Sequence, residues 1–536
     1  MRPLFYIAIF FSALLSFSIS VNAQQANLPF THSGYAVWES KMYTPGANMH
    51  TGIRPFLAKD VYTRLPGGSL DSINRTYFIN PDKSRKWFMR KLRHEHLIEA
   101  KGEDYSIEAD LVIDFGFGRD QVAGENLSVN SRGVNVRGDL GSKFSFNTTY
   151  WESQASFPGF IDSFIRYNRV VPGQGMVRPF KGQSYDFAHA TGYIAYSPNR
   201  FFDIQFGHDR NFIGDGYRSL LMSDNQFPYP FLRILTTVGP FRYMNLYTSM
   251  MNMRPGVLRD EGFPKKFVNI HYISTRIGKR WNVGIFESIT FGGVNRGLDF
   301  NYMNPIILYH PIAFADQSSA NILMGLNVRF VPMKNMVLYG QFMLDEFRVN
   351  DVRTRNGWWG NKQGLQGGIK YFNVAGIENL MLQSEWNYVR PYTYQYHGTF
   401  ANYEHYNQPI AHPIGANFYE STNFLRYRYK MWGVEMNYQY LVYGDDANQI
   451  NNGRRVNNSY LTNRPREYGI RTTDGILNVI HQVGMRLQYT INPKSLLGFE
   501  AGVVRRVHTI QAQPYTQTTW IFAGIRTNLF NKYYDF

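Results

Sequence analysis

The chain has 536 residues, of which only 18% are charged, with a formal net charge of +16 and no cysteine. The lack of cysteine excludes disulfides, thiolate metal sites, a cysteine nucleophile and a lipid-modified N-terminal cysteine. Aromatic residues at 16% and a mean hydropathy of −0.35 fit neither a helical membrane protein nor the ~25% charged residues usual in soluble domains.

The chain opens with the positive start Met1-Arg2-Pro3, an almost wholly apolar run from Leu4 to Ile19, and the small-residue stretch Val21-Asn22-Ala23. This is the pattern of a secretory signal peptide over 1–23, leaving Gln24 as the mature terminus. No later run offers about eighteen apolar residues, so no membrane helix is expected downstream. Export makes nucleic acid an implausible partner for the positive charge. Anionic glycans and lipopolysaccharide phosphates fit it better. The charges could equally pair among themselves and with lipid headgroups.

Residues 24–100 read as a partly helical segment on the periplasmic side. "PDKSRKWFMRKLRHEHLIEAK" suggests a basic helix capped by Ser84, with Trp87, Leu92 and Leu97 loosely spaced along it. Within it, His94 and His96 are two apart and point about 200° from each other on a helix. They are expected on a solvated surface and not around a metal.

From residue 101 to 536 the dominant signal has period two. Phe144, Phe146 and Tyr150 alternate with Ser145, Asn147 and Thr149; Phe202, Ile204 and Phe206 alternate with Asp203 and Gln205. The same holds for Trp432, Val434, Met436, Tyr438 and Tyr440 against Gly433, Glu435, Asn437 and Gln439, and again around Met485–Tyr489 and Leu497–Val503. An apolar face backed by a polar one marks strands whose outer side meets lipid and whose inner side meets a lumen. Connections are lopsided: 197–199 and 491–495 are tight, whereas 390–424 and 444–478 are long and rich in Asn, Gly and Tyr. The expectation is an all-β fold, a transmembrane outer-membrane β-barrel of about 16–18 antiparallel strands with the long loops outside. A last strand near Trp520–Phe530 and the terminal Phe536 resemble the C-terminal signal of bacterial barrels.

Chemistry-bearing motifs are few. Gly116-Phe-Gly118, Gly173-Gln-Gly175 and Gly214-Asp-Gly216 lack the third glycine of a dinucleotide fingerprint, and no Gly-x-Ser-x-Gly elbow occurs. Asp345 and Glu346, adjacent on a strand, face opposite sides and make a poor acid–base pair. No cofactor, metal or catalytic residue is expected. Two stretches remain. "GHDRNFIGDGYRSLLMSD" (207–224) carries Asp209, Arg210, Asp215 and Arg218 around its glycines. There, Gly214 and Gly216 would relax the backbone and Asp215 would pair with Arg218 to fix the loop. Glycan contact by Arg210 or Arg218 is the second reading. In 390–424, Tyr403, His405, Tyr406, Asn407 and His412 suit either sugar contact or a packed loop plug.

With "FPYPFLRI" after it, 207–224 resembles the Wzi-type capsule-assembly family of outer-membrane proteins. Within that family the RemB gliding-motility branch is the nearer match, through "YMNPIILYHPIAFADQSSANILMGLNVRF", "HYNQPIAHPIGANF" and "NLFNKYYDF". "NFIGDG" departs from a more Trp-rich version in the capsule members. The resemblance implies a barrel of about eighteen strands with periplasmic helices, tethering surface polysaccharide or serving surface motility. The function read from the sequence is therefore a non-enzymatic protein of the cell outer membrane. It would bind or anchor surface or capsular polysaccharide, or support gliding. Its partners would be that polysaccharide or lipopolysaccharide, outer-membrane lipids, and motility or secretion-system proteins. A passive diffusion porin and an outer-membrane hydrolase are the alternatives.

Overall fold

The computed structural model describes residues 25–62, 86–253, 262–293, 297–306, 308–315 and 319–536. The expected signal peptide and the Ser84 cap lie outside them. Eighteen antiparallel strands close into a barrel. They are β1 (Tyr105–Asp120), β2 (Glu125–Leu140), β3 (Phe144–Ala155), β4 (Tyr185–Tyr196), β5 (Phe202–Asp209) and β6 (Tyr229–Val238). Then come β7 (Phe241–Met251), β8 (Lys265–Ile277), β9 (Trp281–Gly292), β10 (Asn321–Met333), β11 (Met336–Glu346) and β12 (Lys362–Phe372). The wall ends with β13 (Leu380–Val389), β14 (Phe418–Tyr429), β15 (Trp432–Asp445), β16 (Ile476–Asn492), β17 (Leu497–Ile510) and β18 (Thr516–Thr527). β18 pairs back onto β1 from Trp520 opposite Asp120 to Arg526 opposite Asp114, so the sheet has no free edge there.

The period-two alternation is what the wall uses. On β15, Trp432, Met436, Tyr438 and Tyr440 are exposed outward while Gly433, Gln439 and Leu441 are buried inward. On β5, Phe202 and Phe206 are exposed while Asp203 and Gln205 are buried. Apolar side chains outside and polar ones inside are the pattern of a wall that stands in lipid. One end of the barrel carries only short turns, among them 141–143, 239–240, 278–280 and 430–431; the other carries the long connections 156–184, 210–228, 390–417 and 446–475.

The lumen is filled by both chain ends and by the 210–228 and 390–417 connections. The N-terminal residues enter through the short-turn end, where α1 (His32–Met42) is capped by Thr31, whose hydroxyl accepts from the Gly34 amide at 3.1 Å. α2 (Ala58–Tyr62) follows. Most of 25–62 therefore sits inside the wall, not beside it. The 210–228 connection descends from the long-loop end, and the two segments meet where Ile53–Arg54 pairs with Phe212–Ile213. The tail after Thr527 climbs the lumen. Phe530 stacks on Trp151 at 4.7 Å, and Phe536 reaches Phe164 at 4.8 Å, on α4 (Gly159–Asn168) of the long-loop end. The last strand thus stops short of the expected Phe530, and Phe536 lies inside the barrel. Leu220, Leu221, Met222, Tyr394, Tyr403, Ile410 and Ala411 form one apolar core with wall residues such as Phe231, Ile270, Phe286 and Leu441.

The basic helix is shorter than the sequence suggested: α3 spans Trp87–Arg93 at the short-turn rim. His96 lies beyond it and is buried, its Nδ1 2.6 Å from Asp110 Oδ2, so it is not on a solvated helix face.

Candidate functional site

The 207–224 stretch is packed on all sides. Asp215 and Arg218 do not pair with each other. The carboxylate of Asp215 accepts from Tyr43 Oη at 2.9 Å, Asn327 Nδ2 at 3.2 Å and the Thr51 hydroxyl. Burial opposes its ionisation, but the Arg329 and Arg54 guanidiniums, with the bonds from Thr51 and Asn327, together hold it below the usual carboxylate range. Arg218 donates from Nη2 to Glu420 Oε1 at 3.1 Å and lies 3.3 Å from Asp535 Oδ1. Glu385 accepts the amides of Tyr217 and Arg218 at 2.7 and 3.0 Å. The two charges therefore fasten different things: Asp215 ties the loop to the N-terminal segment and β10, Arg218 ties it to β14 and the C-terminal tail. Gly214 has φ +149°, a conformation that favours glycine, as expected. Gly216 has no positive φ; a Cβ there would collide with Glu385, so space and not torsion selects glycine.

Arg210 is buried and donates from Nη1 to the carbonyls of Gly173 at 3.2 Å and Asp224 at 3.3 Å, and Asp209 Oδ1 accepts the Arg210 amide. Both border an inner cavity of ≈80 Å³. In the second stretch, Tyr403 donates to the Leu221 carbonyl at 2.8 Å. His405 accepts the Met251 amide on Nδ1 at 3.0 Å, which leaves Nε2–H facing the Pro228 carbonyl; burial pushes its pKa down to about 3. His412 packs against Glu420, Nε2 to Oε2 2.7 Å. Tyr406 packs on Phe227 at 4.7 Å. These residues line the plug. Of the nine residues singled out from sequence, Asn407 alone borders the large cavity at the long-loop end.

That cavity has a volume of ≈730 Å³. α4 supplies Phe160 and Tyr167; the 446–475 connection supplies Arg454, Arg455 and Asn457; β17 supplies Arg506 from its inward face. Arg455 lies over the Tyr167 ring at 4.5 Å and donates to its hydroxyl. Arg454 makes a two-pronged bond to Asp445, 2.8 and 3.2 Å, with its guanidinium 5.0 Å from the Tyr443 ring. Arg506 stacks over Phe160 at 4.7 Å, and its Nη1 is buried without a hydrogen-bond partner among the described residues. Exposed rings beside guanidinium and amide donors can stack on sugar faces and bind hydroxyl or carboxylate oxygens. Sequence reasoning missed Tyr167, Arg455 and Arg506. The Arg-Arg pair inside "NNGRRVNN" was a legible hint, but Tyr167 and Arg506 lie far from it in sequence and meet it only when the barrel closes.

No protein-family model matches the chain, and no curated protein matches it. Solved structures do. The outer-membrane protein Wzi of Escherichia coli, involved in group 1 capsule assembly and described as a carbohydrate-binding β-barrel, aligns with a TM-score of 0.55 at 12% identity over 93% of this chain and 98% of its own. OprD of Pseudomonas aeruginosa gives a TM-score of 0.42 at 8% identity over 82% of this chain and 100% of its own. OccK8 (OprE) of the same organism gives 0.41 at 10% over 78% and 97%. The likeness to Wzi is one of fold: an outer-membrane β-barrel.

Proposed function

We propose that this chain is a non-enzymatic outer-membrane β-barrel that binds surface or capsular polysaccharide at its long-loop mouth and anchors it to the cell. The long loops face the exterior and the N-terminal plug faces the periplasm, as in barrels of this kind. One observation carries the reading: an open cavity of ≈730 Å³, lined by aromatic, Arg and Asn side chains, stands over a lumen packed shut by both chain ends and two loops. A diffusion porin keeps a water-filled lumen. Here Leu220, Leu221, Met222, Ile410 and Ala411 occupy that space with no exposure. The carbohydrate binding ascribed to the Wzi barrel supports the same reading. The capsule or gliding role would follow from which polysaccharide is held.

Two experiments test it together. The purified protein in a planar bilayer should show no steady conductance, and it should retain polysaccharide extracted from the surface of its own cells. A deletion strain should shed that polysaccharide into the medium. Steady porin-sized conductance without polysaccharide retention would overturn the proposal.

A further inference from the structure

Strands β7, β8 and β9 carry an anomaly on their outer face. Alternation from the inward residues Phe286 and Ser288 puts Glu287 outward, and its cross-strand neighbour on β8 is His271, itself opposite Asn245 on β7. This makes a polar row, Asn245–His271–Glu287, on the side meant for lipid. The row next toward the short turns is Tyr243–Ile273–Ile285, with Ile273 and Ile285 exposed. Glu287 is six residues beyond the girdle residue Trp281. At ~2.5 Å of axial rise per residue for a tilted strand, it lies ~15 Å into an apolar band ~25 Å tall. A bare carboxylate there would be costly.

It is not bare. Residues 298–306 and 308–315 lie across the outside of the wall and cover the row. Glu287 accepts the amides of Tyr309, 3.0 Å to each oxygen, and of His310, 3.3 Å, at the start of α5 (Tyr309–Ala315). Tyr243 and Tyr247 donate to the carbonyls of Pro305 and Met303 at 2.7 and 2.9 Å, and Asn269 donates to that of Tyr302 at 2.7 Å. The His271 ring stacks on Tyr309 at 4.2 Å. Hydrogen bonds of this kind strengthen where water is excluded. The far side of the covering segment carries its largest exposed side chains, all apolar: Phe300, Ile306 and Phe314 are 83, 82 and 81% exposed, with Asn301 and His310 also open among them.

We propose that this segment is a strap immersed in the acyl chains of the membrane leaflet on the long-loop side. Its polar bonds dock it to the wall, and Phe300, Ile306 and Phe314 meet lipid in place of the polar row. Its apolar face is continuous with the exposed belt of Ile273, Ile285 and Leu326 just below, so the occupant is lipid. The inference rests on the reading of the chain as a membrane-spanning barrel.

The chain has no cysteine, so single introduced cysteines report cleanly. Phe314→Cys and Ile306→Cys, each spin-labelled in the full-length protein in phospholipid vesicles, should be reached by oxygen and shielded from a water-soluble nickel chelate. Their oxygen-to-nickel accessibility ratio should match that of Ile285→Cys on the wall and exceed several-fold that of Leu461→Cys on a long loop. A strap ratio like Leu461→Cys beside a membrane-like Ile285→Cys would overturn the strap proposal alone. An aqueous Ile285→Cys would overturn the membrane reading and the strap with it. Shielding of both strap labels from both reagents in native outer-membrane vesicles would show a protein covering the face, and would also overturn it.

Discussion

The 210–228 connection and the long-loop mouth use the same residue types, Arg, Asp and Tyr, to opposite ends. In the loop, Arg218 has two carboxylates and Asp215 three donors, and neither is open to solvent. At the mouth, Arg455 rests on an aromatic ring beside open space with Asp445 3.3 Å away, and Arg506, on the cavity wall, has no carboxylate within ion-pair distance among the described residues. Charge alone does not mark a binding site. A buried cation held between carboxylates is a fastener, and one without a carboxylate beside a cavity is available to a ligand.

The largest effect that would break this contrast lies in the loop. Arg218→Ala leaves Glu420 and Asp535 buried without their cation, and the loss should be about 3–5 kcal/mol. It should appear as a large drop in the heat-denaturation midpoint in detergent. Exchanging the two charges, Asp215→Arg with Arg218→Asp, should not restore it, since each faces other partners; recovery would mean that the pair does bond internally. Next, Met436→Arg on the lipid side of β15 should cost roughly 2–4 kcal/mol in folding from lipid vesicles. Gln439→Arg on the inner side would be nearly silent in an open lumen. Gln439 is instead packed between Glu420 Oε1 at 2.7 Å and the Asp535 carbonyl at 2.6 Å. Overpacking there should cost about 1–3 kcal/mol. A silent Gln439→Arg would contradict a sealed lumen.

A smaller effect follows from pH. Burial pushes both His50 and His405 down to about 3. In the unfolded chain they take up protons near 6.5 while the folded forms stay neutral. Their stability is present above about 6.5 and is lost as pH falls toward 3. The denaturation midpoint should decline across that window, and His405→Gln should flatten the decline. An unchanged slope in His405→Gln would show that this ring is solvated.

The wall was legible because period-two alternation is local: a few residues on β5 or β15 reveal both faces. The lumen was not, because its contents come from the chain's two ends and two mid-chain loops. Nothing near Phe530 or Phe536 says that the tail turns inward, and a terminal aromatic reads like an assembly signal. The Asp215–Arg218 pair failed for the same reason. Spacing along the sequence suggested a contact, but each charge had a better partner more than a hundred residues away, Asp215 in Asn327 and Arg218 in Asp535. Glu287 breaks the alternation of β9 outright, and only the strap makes sense of it. Most of the candidate site residues lie within the plug, because loops rich in Tyr, His and Asn suit a packed polar interior as well as they suit sugar.

The most direct measurement compares binding with stability in one variant. Arg455→Ala removes a partly exposed guanidinium whose ion pairs contribute under about 1 kcal/mol. Titrating surface polysaccharide into the wild type and into Tyr167→Ala/Arg455→Ala, with denaturation midpoints measured in parallel, should give at least a tenfold loss of affinity. The midpoint should move little, since neither side chain belongs to the lumen core. Undiminished binding by the double variant would contradict a polysaccharide site at the mouth.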